Sequence, residues 1–268
     1  DGAVFLFDRV RPVPTPDRVY AGLLAGQERL LSFGVTAWQD AAIGTLMGVP
    51  DTAPVYLRAL EAGTLHARVR GAQWWNRTDG LEQLPRMLER RDETAERCDP
   101  ERFSLGTAKV MVDGVAESRT AAMHGRYRDA HGGETASSGI SFFTSAELAE
   151  FVTALDAAGM QVHFHALGDR AVTDALDALE HARRANGPTG LRHHLAHLEV
   201  VAAADLPRFA GLGATANLQT LWAAHDEQLD RLVLPFLPAG AAKRLYPFGD
   251  LAAAGAELAA GSDWPVST

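Results

Sequence analysis

The chain of 268 residues is 47% hydrophobic and 22% charged, a balance that supplies a sizeable core and excludes an intrinsically disordered chain. Its 25 Lys and Arg stand against 34 Asp and Glu, a net charge of −9 with the basic residues scattered, which argues against nucleic acid or an anionic membrane as the main partner. The single cysteine, Cys98, excludes an internal disulfide and a Cys-rich metal site and fits a cytoplasmic, reducing setting, and no apolar run reaches the ~18 residues of a membrane span.

Taken in chain order, short β-branched or small-apolar runs are each followed by a helix-period segment, the pattern of repeated βα units around a parallel sheet. A helix is expected over Pro16–Ser32, ended by Gly34, and then a strand near Val35–Asp40. A second strand falls over Leu65–Trp75, and the mixed charges from Glu89 to Arg97 read as a solvated helix face. After a strand over Thr107–Asp113 comes an aperiodic stretch, Gly114–Gly139, a long loop of the kind that is usually functional. A helix over Thr144–Ala158 opens with a hydroxyl at Thr144 and a Glu three residues on, a capping box. Strands near Gln161–His165, Arg192–Glu199, Ala214–Gln219 and Glu257–Asp263 follow, with helices over Asp169–Arg184 and Ala202–Leu212. Gly159 and Gly213 end the helices before their strands.

An open doubly wound sheet and a closed barrel both use such units. Asp40, Lys109, Asp113, His165, His197, Gln219 and Asp263 all lie late in, or just after, apolar runs, and catalytic side chains of a barrel come from the C-terminal ends of several strands. No Gly-rich phosphate loop follows the first visible strand. The barrel is therefore the expected class.

Lys109, His165, His197 and Asp263 carry the chemistry. Singly, each has a plain explanation: a solvated charge, two hydrogen-bonded core histidines and a turn cap. Together, at the ends of four candidate strands, they would be costly to bury without partners. A divalent metal supplies the compensation, since imidazoles and carboxylates suit zinc, iron, nickel or manganese. Asp263 could touch the metal and also take a proton from the water that the metal activates.

The segments Ala108-Lys109-Val110-Met111-Val112-Asp113-Gly114 with Ser118-Arg119-Thr120-Ala121-Ala122, His165-Ala166-Leu167-Gly168-Asp169-Arg170-Ala171-Val172, His194-Leu195-Ala196-His197 and Gly261-Ser262-Asp263-Trp264-Pro265-Val266 resemble, in this order, the amidohydrolase superfamily. The match is to its YtcJ-like branch, amidohydrolase family 3. The resemblance implies an α/β fold, a TIM-type (β/α)8 metal-dependent hydrolase barrel in one partial domain over 1–268, comprising strands 2 to 8. It implies that Lys109 is the strand-four lysine, carboxylated in many such enzymes, with His165 and His197 as the ligands of strands five and six. Asp263 becomes the strand-eight ligand and catalytic proton shuttle. Arg119 would hold the substrate or the long loop. Trp222 and Trp264 would line an apolar substrate pocket, with packing against helices as the alternative.

The family's first metal motif, a His-x-His at the end of strand one, has no counterpart before Gly34. That strand, with the accessory β-sandwich, is expected upstream of Asp1. The one His-x-His, His163-Phe164-His165, follows the lysine segment instead of preceding it, so His163 reads as a core histidine. Alternation sends His193 inward with Leu195 and His197 and leaves His194 outward. His66, His124, His131, His181 and His225 read as surface or loop residues. The implied activity is cleavage of a C–N bond, other than a peptide bond, in a small amide, formamide or cyclic amide. The cofactor is one or two divalent ions, zinc by preference; a homodimer is compatible. A ring aminohydrolase, an esterase and a truncated non-catalytic barrel are the alternatives.

Overall fold

The computed structural model describes residues 10–45, 49–264 and 266, and contacts divide the chain into two units, Asp1–Lys109 and Val110–Thr268. In the first unit, helix α1 (Pro16–Ser32) starts where Thr15 accepts the Arg18 N–H and Pro16 presets the first turn. Strands β1 (Ala37–Ile43), β2 (Arg68–Trp74) and β3 (Phe103–Met111) follow, and the last two residues of β3 pass into the second unit. Strand β1 pairs parallel with β2, and β2 with β3, with Trp74 opposite Lys109.

Helices α2 (Ala53–Glu61) and α3 (Leu84–Arg97) complete the first unit. Ile43, Tyr56, Leu57, Leu65, Val69, Phe103 and Leu105 form its core, with the Tyr56 and Phe103 rings stacked at 5.0 Å. Helix α3 buries Met87 and Thr94; its charged residues reach out, Arg90 to Asp51 at 2.7 Å and Arg97 to Glu61 at 2.9 Å. Buried Gln27 ties α1 to the chain before β2, donating to the Thr64 carbonyl and accepting the His66 N–H. Buried polar groups need such partners.

In the second unit, a long irregular stretch leads to α4 (Ser145–Ala157), β4 (Gln161–Ala166), α5 (Asp169–Asn186), β5 (His194–His197), α6 (Leu206–Leu212) and β6 (Thr215–Leu218). Short 3-10 and π turns precede α7 (Phe248–Ala253) and β7 (Glu257–Ala260). Strands β4 to β7 pair parallel, each with the next. Thr144 and Glu147 close a reciprocal capping box on α4. Helix α5 has no capping side chain at Gly168; the carbonyl of Ala122 accepts the Arg170 and Ala171 N–H groups instead, so a distant loop satisfies the orphan donors of the first turn. No helix of the described residues is long and apolar enough to cross a membrane.

Several elements are shorter than the sequence patterns suggest. Strand β5 is bounded by two left-handed residues, Arg192 at φ 51° and His197 at φ 84°, which confine it to four residues. Strand β7 ends at Ala260, although the Gly261 N–H still reaches the Leu218 carbonyl, and Asp263 stands beyond it at φ 54°. Helix α6 begins only at Leu206, because Ala202–Asp205 form a turn first. Helices α2 and α7 carry no marked sequence signal.

Candidate metal centre

His165 is the penultimate residue of β4 and His197 the last of β5, neighbouring parallel strands in the second unit. Both are buried, and their rings meet edge to face with centroids 4.5 Å apart. The His165 Nε2 lies 3.1 Å from the Gly114 carbonyl oxygen. A carbonyl can only accept, so Nε2 carries the proton and Nδ1 the lone pair, the tautomer that second-shell carbonyls impose on metal-ligating imidazoles. His197 is stacked on Trp222, with centroids 4.9 Å apart and planes 11° from parallel. The Trp222 N–H is held by the Gln219 carbonyl just past β6.

Two carboxylates that sequence patterns left without a role are close by: Asp113 Oδ1 lies 3.8 Å from His165 Nε2, and Glu199 follows His197 by two residues. Asp113 is wholly buried, and its two oxygens accept the N–H groups of Ala122, Leu167 and Gly168 at 2.9, 3.1 and 2.9 Å. Burial pushes its pKa up to about 7 against the opposing pull of those N–H groups and of Arg170. Glu199, also buried, is pushed up to about 8 by burial first and then by Glu117 and Asp113. The signal for Asp113 was its place after a strand; Glu199 had none beyond following His197.

The other predicted residues stand as follows. Lys109 is buried late in β3, the last residue of the first unit, its carbonyl accepting the Trp75 N–H. Asp263 is exposed beyond β7. Trp264 follows it, 46% exposed, and Pro265 of that motif lies outside the described residues. Arg119 is an exposed left-handed loop residue whose guanidinium lies 5.0 Å above the Phe236 ring. Among the described residues no three His, Cys, Asp or Glu side chains converge as a metal site. The imidazole pair fits two positions of a divalent metal by donor chemistry, and His165 does so by its tautomer as well.

His163 is buried with its ring 4.1 Å from that of His194. The expected facing of the two histidines at the start of β5 is reversed. His194 is buried against His163, while His193 lies outside the strand, its Nδ1 accepting the Val162 N–H and its Nε2 meeting Asp156 at 2.8 Å. Alternation counted back from His197 fails because the left-handed φ at His197 breaks the strand period. His66, His124, His131, His181 and His225 are all exposed.

A model of the amidohydrolase family matches residues 3–268. The protein LONG AFTER FAR-RED 3 of Arabidopsis thaliana is 32% identical over 163 residues, 61% of this chain and 27% of its own length. A Bacillus subtilis (strain 168) protein named as an amidohydrolase, YtcJ, is 28% identical over 165 residues, 60% of this chain and 29% of its own. The crystal structure of an uncharacterized metal-dependent hydrolase from Pyrococcus furiosus superposes with a TM-score of 0.72 at 22% identity, covering 96% of this chain and 49% of that one. The matched region thus spans about a quarter to a half of these proteins' lengths. The fold is α/β, an incomplete TIM-type barrel, and the chain belongs to the amidohydrolase family.

Proposed function

We propose that this chain carries the greater part of the active site of a metal-dependent hydrolase that cleaves the C–N bond of a small amide, formamide or cyclic amide. The observation that carries the reading is the buried His165–His197 pair late in β4 and at the end of β5 in a chain of the amidohydrolase family. His165 and His197 would hold a divalent ion, zinc by preference for imidazole nitrogen, and the family resemblance adds Lys109 and Asp263 as further ligands of one or two ions. When bound, the metal acidifies water and polarises the scissile carbonyl.

The chain's own groups would divide the remaining work. The tautomer imposed by Gly114 makes the lone pair of His165 Nδ1 the one available to a metal. Asp263, an exposed carboxylate beyond the last strand, would accept the proton of the attacking water and return it to the leaving nitrogen. Arg119 would offset charge on the oxyanion. Trp222, flat against His197, and Trp264 would form the apolar wall that receives the substrate's body. The net charge of −9 suits a small neutral substrate better than a polyanion.

The test is metal analysis of the complete protein together with a panel of small amides and N-formyl compounds. Asp263→Asn and His197→Ala are expected to lose most of the activity. Turnover unaffected by both would place the active site elsewhere.

A further inference from the structure

We infer that Asp113 positions His165: its carboxylate locks the turn that follows His165 to the backbone of Ala122, and so keeps the Gly114 carbonyl on the His165 Nε2. The inference rests on reading His165 as a metal ligand. Three chain segments meet at this side chain. The Asp113 Oδ1 accepts the Leu167 N–H at 3.1 Å, and Oδ2 accepts both the Gly168 and the Ala122 N–H at 2.9 Å. Leu167 and Gly168 directly follow the end of β4, two and three residues past His165. A carboxylate is the one side chain that can take three N–H donors and present none.

The surroundings leave this arrangement little freedom. A Cβ on Gly168 would fall 2.0 Å from the Ala122 carbonyl oxygen, and one on Gly139 1.9 Å from that of Ala121, so these backbones touch. The Val112 N–H bonds to the His165 carbonyl at 3.0 Å, which anchors Asp113 from the other side. Gly114 follows Asp113 in the chain, and its N–H is held by the Thr120 carbonyl. The loop Gly114–Thr120 therefore cannot shift its carbonyl away from His165 while the Asp113 carboxylate grips Ala122. The Asp113 Oδ1 is itself 3.8 Å from His165 Nε2, too far for a hydrogen bond. Its action on the ring passes through Gly114.

The experiment uses the full chain, zinc-free, at about pH 8, where an ordinary imidazole is neutral. Long-range nitrogen NMR of the His165 ring reports the tautomer, and zinc affinity is read separately by chelator competition. The parent is expected to show one tautomer with a slowly exchanging Nε2 proton. Asp113→Asn, which must set an amide N–H against a backbone N–H, is expected to mix the tautomers and to weaken zinc binding about 10- to 100-fold, the usual cost of losing support for a ligand. A single unchanged tautomer and zinc affinity within twofold of the parent would overturn the proposal. If Asp113→Asn does not fold, the parent decides, because a His165 ring protonated on Nδ1, or one that exchanges freely, also overturns it. A parent that binds no zinc while its His165 tautomer responds to Asp113→Asn would defeat the hydrolase reading and leave the positioning role standing.

Discussion

The rings of His165 and His197 meet at 4.5 Å, although the parallel register pairs His165 with Ala196 and His197 with Ala166. Side chains at neighbouring levels of paired strands point to opposite faces, so an extended His197 would turn away from His165. Its φ of 84°, followed by Leu198 at 50°, ends the strand and returns the ring to its neighbour. Left-handed residues of this size cost about 1–3 kcal/mol each and persist only where the surroundings hold them. The Leu198 and Val200 N–H groups bond to the carbonyls of Ala166 and Leu167, which supplies that hold.

Removal of either imidazole is therefore expected to abolish most of the metal affinity. His165→Ala and His197→Ala should each weaken zinc binding by more than about 100-fold, beyond the range seen for loss of a supporting contact. Chelator competition on the folded variants reads this directly. Retained affinity in both would show that the pair is a packing contact.

The His193–Asp156 contact predicts an acid-sensitive stability. Burial lowers the His193 pKa below its usual value of 6.5, with Asp156 opposing, so the folded chain favours the neutral ring that accepts the Val162 N–H. The unfolded chain binds the proton more readily, and this contribution is complete above the unfolded pKa and fades as pH falls through it toward the folded value. Burial also pushes Asp156 upward, but bonds from Thr189, Asn186 and His193 outweigh it and leave its pKa below 3.8, outside that window. The thermal midpoint should drop as the pH falls below about 6.5, and His193→Gln should flatten that slope.

The glycine at the start of α5 makes a steric prediction. Gly168→Ala would drive a methyl group into the Ala122 carbonyl at 2.0 Å, where backbone on both sides cannot yield, and should cost about 3 kcal/mol, or roughly 6–12 °C in thermal midpoint. Gly106 in β3 has nothing within 4 Å of the place a methyl carbon would take. Gly106→Ala should stay within about 0.5 kcal/mol of the parent. Equal effects of the two substitutions in a melting series would contradict the packing at Ala122.

The capping box on α4 gives a smaller, local effect. Thr144 accepts the Glu147 N–H, and Glu147 accepts the Thr144 N–H. Thr144→Ala removes one of these bonds and should cost about 1 kcal/mol, about 2–4 °C in midpoint. An unchanged midpoint would mean that the first turn of α4 is held by packing alone.

Much of the fold was legible because its signals are local. Pro16 at the first turn and Thr15 before it mark the start of α1 at the expected residue, and Thr144 with Glu147 marks α4. The mixed charges of Glu89–Arg97 lie on α3 with most of their side chains toward solvent. Helix α2 was not legible: no side chain caps it, and Val55, Tyr56, Leu57 and Ala59 are buried in a near-continuous run that carries no clear period. Of the residues assigned to a metal, His165 and His197 are brought together in one unit, while Asp263 stands exposed beyond the last strand.

The amino-acid sequence by itself determined the βα alternation, the helix starts and the motifs that place the chain in its family, because capping, hydrophobic period and motif order depend on residues a few positions apart. Only the tertiary structure decided which way His193, His194 and His197 face, which nitrogen of His165 carries its proton, and what Asp113 holds. Those outcomes depend on a left-handed turn at a strand end, on the carbonyl of Gly114 fifty-one residues away from His165, and on three N–H groups from two separate places in the chain. Period and propensity are silent about such contacts, since they arise only when distant backbone segments are packed against one another.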